Sequence, residues 1–199
     1  MIELELKAVV PDLTRVRSHI EEQGARLVFA GRLEDSRYDH RDGSLTAHDL
    51  VLRLRVYRET AGGIASASLD WKGPSSINER YKQREEINAS LDDPDTLAQI
   101  LDRLGLVVTM RIDRSIWQYE LHHGVVRFER YPRMDDLVEV EGSPEAIEAA
   151  IRALGLPRES FSTERLPDFA RRFERRTGQP AALSDGELAG LVRYDLGNA

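Results

Sequence analysis

Cysteine is absent from the 199 residues, which excludes disulfides and thiolate metal sites and makes the cytoplasm the expected compartment. No run of about 18 apolar residues occurs, so no membrane span is expected. The opening Met-Ile-Glu-Leu-Glu carries acids where a secretory signal carries bases followed by an apolar stretch. Low-complexity segments are missing, as are the Gly-x-Ser-x-Gly nucleophile motif, the P-loop and the dinucleotide-binding fingerprint. The five histidines, His19, His40, His48, His122 and His123, show no metal-ligand spacing, and His122-His123 before Gly124 reads as a hairpin edge. A net charge of −7 argues against broad affinity for nucleic acid or anionic lipid.

What is present describes a globular chain. Hydrophobic residues make up 41% and charged residues 32%, and the length suits one substantial core with an appendage. Three helices are expected from their ends. The first covers about 12–23, with Leu13, Val16 and Ile20 on one face and Gly24 as its stop. The second opens at Asp93-Pro94, turns Leu97, Leu101 and Leu104 inward and stops at Gly105. The third opens at Ser143-Pro144, uses Ile147, Ile151 and Leu154 and stops at Gly155. Period-two alternation predicts strands near 2–9, 26–39, 50–58, 65–73, 80–88, 107–121, 125–131 and 136–142. Breakers fall between them at Asp42-Gly43, Gly62-Gly63, Gly73-Pro74 and His123-Gly124. After about residue 158 the pattern becomes a helical tail, with one helix near 167–176 and a capping box at 184–187.

Strand after strand alternates charge with an aliphatic or aromatic residue. Glu3, Glu5 and Lys7 share one face of the first run, and Arg53 with Arg55 one face of the third. Lys82, Arg84 and Glu86 line up in the fifth, Arg127 with Glu129 and Glu139 with Glu141 in the last two. For any single strand a solvated outer face explains this. Across the set, carboxylates gather at one place and bases at others, which suits a closed antiparallel barrel with a charged lumen. About eight strands leave room for one small ligand.

Glu3 and Glu5 on one strand face would stand roughly 6–7 Å apart at Cβ and repel by about 2–3 kcal/mol at an effective dielectric near 20. Adding Glu139 and Glu141 raises that repulsion, and carboxylate oxygens suit Mg²⁺ or Mn²⁺. A purely structural lattice of ion pairs would neutralise them equally well. Arg53, Arg55, Lys72, Lys82, Arg84 and Arg114 would form a cationic wall, with Lys7 beside the acids; such forks and point charges match phosphoryl oxygens.

Taken in order, these motifs resemble the CYTH, or triphosphate tunnel metalloenzyme, family, which includes class IV adenylate cyclases, thiamine triphosphatases and inorganic triphosphatases. Glu3-Leu4-Glu5-Leu6-Lys7 is similar to its Glu-x-Glu-x-Lys opening, followed by Leu52-Arg53-Leu54-Arg55, Trp71-Lys72-Gly73-Pro74, Arg84-Glu85-Glu86 and Val138-Glu139-Val140-Glu141-Gly142. The resemblance implies an α+β fold: an eight-stranded closed antiparallel tunnel over 1–157, helices outside it, and a helical C-terminal extension over 158–199. It implies Glu3, Glu5, Glu139 and Glu141 as ligands of Mg²⁺ or Mn²⁺, and Lys7, Arg53, Arg55, Lys72 and Arg84 as catalytic phosphate contacts. Arg114 matches the arginine of a Lys-x-Arg strand, but Ile112 stands at the lysine position. Glu129 stands near a usual aspartate, and in Asp35-Ser36-Arg37-Tyr38-Asp39 an arginine replaces a tyrosine.

The expected activity is metal-dependent hydrolysis of an inorganic or organic triphosphate, such as triphosphate, ATP or thiamine triphosphate. One metal would neutralise phosphate oxygens while a second metal or a glutamate activates water. The alternatives are a class IV cyclase making cyclic AMP and pyrophosphate, with Trp71, Tyr57 or Tyr131 supplying an adenine pocket, and a non-catalytic triphosphate-binding module. Nucleic acid and membrane are not expected as partners, and a homodimer is left open. Arg171, Arg172, Arg175 and Arg176 read as a solvated helix face, with a plug at one tunnel end as the alternative.

Overall fold

The computed structural model describes residues 2–78 and 80–195, with the side chains of Ile2 and Glu3 outside that description. Its centre is an antiparallel barrel of eight strands: β1 (Ile2–Val9), β2 (Arg26–Asp39), β3 (Val51–Glu59), β4 (Ile64–Lys72), β6 (Tyr81–Leu91), β7 (Val107–Leu121), β8 (Gly124–Arg130) and β9 (Leu137–Glu141). A three-residue strand, β5 (Ser76–Asn78), continues beside β6 where β4 has ended. The order around the barrel is β1-β9-β8-β7-β2-β3-β4-β6, and β6 returns to β1. That last pairing, Ile2↔Glu85 through Glu5↔Lys82, closes the ring.

The strands lie close to where alternation predicts them. Sequence reading did not anticipate β5 or the short helix α2 (Ser44–Ala47), because neither is long enough to show a period. The β7–β8 hairpin turns on His122 and His123, both at positive φ (51° and 64°), so these histidines form a tight turn.

Three helices cover the outward apolar face. Asp12 caps α1 (Leu13–Glu22) by accepting from the Arg15 amide, and Ser143 caps α4 (Pro144–Leu154) through the Ala146 amide. Both pack on the outward side of β1, β8 and β9, where Leu6, Val126, Phe128, Val138 and Val140 meet Ile20, Ile147, Ile151 and Leu154. The third, α3 (Pro94–Arg103), sets Leu101 against Tyr38 and Leu54. Leu97 is partly buried there, but Leu104 is 69% exposed, contrary to the sequence expectation. Leu104 falls at the C-cap, where the helix has ended and its stripe no longer faces the sheet.

Residues 158–195 return to the barrel. Ser162 pairs with Lys7 of β1, and Ala182 pairs with Arg133. Between them α5 (Leu166–Thr177) buries Phe169 among Met110, Ile112, Tyr131 and Leu137. A last turn of helix, α6 (Asp185–Leu188), is capped by Ser184. Met110 and Ile112 lie on the lumen side of β7, so α5 covers one end of the barrel. Its arginines meet acids at the surface: Arg171 with Asp168, Arg172 with Glu164 and Arg176 with Asp135. Among the described residues no helix is long and apolar enough to cross a membrane.

Among the glycines described, Gly31 in β2 leaves the least room for a side chain. A Cβ there would lie 2.2 Å from the Arg58 carbonyl oxygen and 2.8 Å from the Phe29 ring. Gly31→Ala is expected to lower stability by about 1–3 kcal/mol through overpacking, read from the urea midpoint.

Candidate functional site

Period-two geometry turns every second residue of the barrel strands into a shared lumen. Two of the cross-strand pairs facing it are unusual, because like charges stand directly opposite. On β1 and β9 these are Glu5 and Glu141; on β2 and β3 they are Arg37 and Arg53.

At the acidic pair, Glu5, Glu139 and Glu141 bring one carboxylate oxygen each to within 4.8 Å of one another. At an effective dielectric near 20, each such contact costs about 3 kcal/mol before compensation. Bases supply that compensation here. Lys7 lies 2.9 Å from Glu5 and also pairs with Glu139, while Lys82 pairs with Glu5. Arg127 pairs with Glu139, reaches Glu141 at 3.1 Å and Glu129 at 3.3 Å. Burial pushes the Glu5 carboxyl up, but Lys7, Lys82 and Lys72 outweigh it and hold it below its ordinary value. Burial opposes ionisation of Glu139 as well, and Arg127 with Lys7 keeps it charged. Lys82 is shifted down by burial and by Lys7.

Three carboxylates with facing hard oxygen atoms are a donor set that fits Mg²⁺ or Mn²⁺. Glu3, the fourth ligand expected from sequence, lies with its side chain outside the described residues; its backbone pairs with Arg84.

The expected cationic wall is assembled, with acids set into it. Arg53 donates to Asp70 at 2.9 Å and lies 3.6 Å from Asp35. Arg55 reaches Asp35 at 3.1 Å and the Tyr57 hydroxyl at 3.2 Å, and Arg114 bridges Asp35 at 3.0 Å and Glu129 at 2.9 Å. Lys72 pairs with Glu86 across β4 and β6. Arg84 donates to the Gly73 carbonyl at 2.6 Å and to the Asp49 carbonyl. Burial pushes the Asp35 carboxyl up, yet Arg55, Arg114 and Arg53 together hold it far below the usual carboxylate range. Arg37 is pushed down to about 9, by burial first and then by the neighbouring Arg53.

All seven basic residues expected from sequence, Lys7, Arg53, Arg55, Lys72, Lys82, Arg84 and Arg114, line a cavity of about 310 Å³. Glu5 and Glu139 line it too, and Glu141 adjoins them. Sequence reading left Asp35, Asp70, Arg37, Arg127 and Arg165 outside the candidate set. The first three carried a signal, since Asp35 and Arg37 share one face of β2 and Asp70 shares one with Lys72. Arg127 alternates with Glu129 in the same way. Arg165 belongs to the tail and had no periodic pattern to mark it. Of the aromatics considered for an adenine pocket, Tyr131 lines this cavity, whereas Trp71 and Tyr57 do not. Trp71 pairs with Leu52 and Ile87 on the outward face. Tyr57 is held edge-on by Phe29, and the Tyr131 hydroxyl is committed to Glu129.

Comparison with known proteins agrees with this architecture. The family model described as the CYTH domain matches residues 1–162. A Methanocaldococcus jannaschii protein named as a candidate adenylate cyclase is 29% identical over 122 residues, covering 60% of this chain. The match spans 66% of that relative, just under two thirds of its length. A structure from Vibrio parahaemolyticus, described as a candidate adenylate cyclase, superposes with a TM-score of 0.72 at 15% identity, over 85% of this chain and 97% of that one. A Hippeastrum structure, described as a candidate adenylyl cyclase revealing a dominant triphosphatase activity, has a TM-score of 0.56 at 16% identity, over 92% and 98%. At these identities the two structures speak to the fold alone.

The depressed carboxylates give stability a definite pH dependence. Asp35 and Glu139 are more acidic folded than unfolded, so their contribution is complete above about pH 4–5 and is lost as pH falls further. Asp35→Asn leaves three buried guanidiniums short of counter-charge and is expected to cost about 3–5 kcal/mol at neutral pH. It should also flatten the acid limb of a plot of urea-derived stability against pH; an unchanged limb would exclude Asp35 as its source.

Proposed function

The chain belongs to the CYTH family, and from that premise we propose that it hydrolyses a triphosphate inside the barrel with the help of Mg²⁺ or Mn²⁺. The observation that carries this reading is a cluster of three carboxylates and a wall of seven basic residues around one closed lumen. Glu5, Glu139 and Glu141 offer carboxylate oxygens to a cation, and the basic residues lining the same cavity offer donors to an anion. A polyphosphate with its metal satisfies both at once.

Glu5, Glu139 and Glu141 would hold the metal, which supplies Lewis-acid neutralisation of phosphoryl oxygens. Arg53, Arg55 and Arg114 would bind and orient the phosphate chain with planar, multiply donating forks, and Lys72 and Lys82 would add point charge. These same groups are held by Asp35, Asp70, Glu86 and Glu5, which keep them in position. Preorganised charge of this kind acts without reorganisation as charge develops on the phosphoryl oxygens. In the reaction, water attacks the terminal phosphorus and the bridging P–O bond breaks, leaving orthophosphate and diphosphate.

Two features favour hydrolysis over cyclisation. The cavity is at the lower end of the roughly 300–1,000 Å³ typical of small-molecule pockets. Of the three aromatics considered for an adenine pocket, Trp71 and Tyr57 do not line it, and Tyr131 does so with its hydroxyl committed to Glu129. The cyclase reading keeps one supporting observation, the name of the M. jannaschii relative.

Purified protein incubated with Mg²⁺ or Mn²⁺ and triphosphate, ATP or thiamine triphosphate distinguishes the readings. Orthophosphate release is expected, abolished by chelator. Pyrophosphate with cyclic AMP would establish the cyclase instead, and binding without turnover a module. Arg53→Ala should lower kcat/KM by about 10²–10³, and Glu139→Gln should raise the metal concentration needed for half-activity.

A further inference from the structure

The mouth of the cavity is edged by three pieces of chain. One is the end of α2 and the residues after it (Thr46, Ala47, Asp49), another is Arg165-Leu166 at the start of α5, and the third is the turn between β4 and β5, whose Ser75 hydroxyl Arg165 contacts. We propose that Arg165, together with Arg84, forms an outer anion subsite at this mouth, so that the C-terminal segment completes the binding site and clamps the outermost phosphoryl group of the substrate. The proposal rests on the triphosphate reading above and extends it to a residue that the barrel does not contain.

The geometry at the mouth is two guanidiniums sharing one carboxylate. Arg165 reaches Asp49 at 3.1 Å and the Ser75 hydroxyl at 2.6 Å. Arg84 lies 3.6 Å from the same Asp49 carboxylate. Arg37 lines the same cavity from β2. Positive charge therefore exceeds negative at the mouth, which is where an anion entering the cavity passes first.

Asp49 does not depend on Arg165. Its carboxylate also accepts the Ser75 amide at 2.7 Å and the Ser75 hydroxyl at 2.8 Å, so it stays satisfied when Arg165 leaves. Nor is Arg165 strongly held. Its side chain is 50% exposed, against 10% for Arg84, and exposed ion pairs contribute little. A phosphoryl group offers a doubly accepting, more highly charged partner. Exchanging Asp49 for phosphate is thus favourable for Arg165, while Arg84 stays fixed by the Gly73 and Asp49 carbonyls.

The alternative is that Arg165 only staples the tail to the loops, and two substitutions separate these roles. In steady-state kinetics with inorganic triphosphate, Arg165→Ala should raise KM about tenfold with kcat changed less than twofold, the loss of one charge-assisted contact. Arg165→Lys should recover part of that loss. Asp49→Asn removes the competing acid and should lower KM about twofold. If Arg165→Ala and Asp49→Asn raise KM equally, the contact is a staple and the subsite is wrong. Wild-type KM in Arg165→Ala overturns it as well. If the wild-type protein itself shows no binding of inorganic triphosphate with Mg²⁺ by calorimetry, the triphosphate reading falls and takes the subsite with it.

Discussion

The pairing of β1 with both β6 and β9 is the constraint on which the rest depends. One short strand from the start of the chain closes the ring, and by closing it turns eight charged strand faces toward a common space. On an open sheet the same side chains would be solvated and weakly coupled. Inside a barrel they are removed from water and held within a few ångströms of one another, where each unbalanced charge is expensive. The lumen is therefore a system of charges that must be balanced, by the protein or by a ligand.

In the structure described here the protein balances them itself. Asp35 receives Arg53, Arg55 and Arg114; Glu139 receives Lys7 and Arg127; Asp70 receives Arg53. This is the ion-pair lattice that sequence reading held as the structural alternative to a metal and phosphate site. The two are compatible. A lattice that keeps cations and carboxylates extended and oriented can exchange internal partners for a ligand's, and what remains after exchange is geometry already set.

The segment after the barrel acts on the same space from outside. Phe169 and Leu183 cover the end of the lumen against Met110, Ile112 and Tyr131, and backbone bridges at Ser162 and Ala182 tie the segment to the barrel. That places Arg165 at the rim. A helix whose outer face is charged and paired, and whose inner face is apolar, can lie there without disturbing the charge balance within.

Much of this was legible in the amino-acid order, because alternation of charge with aliphatic residues has only one geometric meaning in a strand. Glu5, Lys7, Arg53, Arg55, Lys82, Arg84 and the glutamates of β9 announced a shared face by their period, and Ser143, Asp12 and Asp93 announced their helices by capping chemistry. Period two says which residues share a face but not which strand lies beside which. That Glu5 opposes Glu141 and that Arg37 opposes Arg53 follow from register, which is fixed only when the barrel closes. Arg165 was hidden for a related reason. Its place at the mouth comes from a tail packing back over more than 100 residues of chain to meet Asp49, and local pattern carries no trace of so distant a contact.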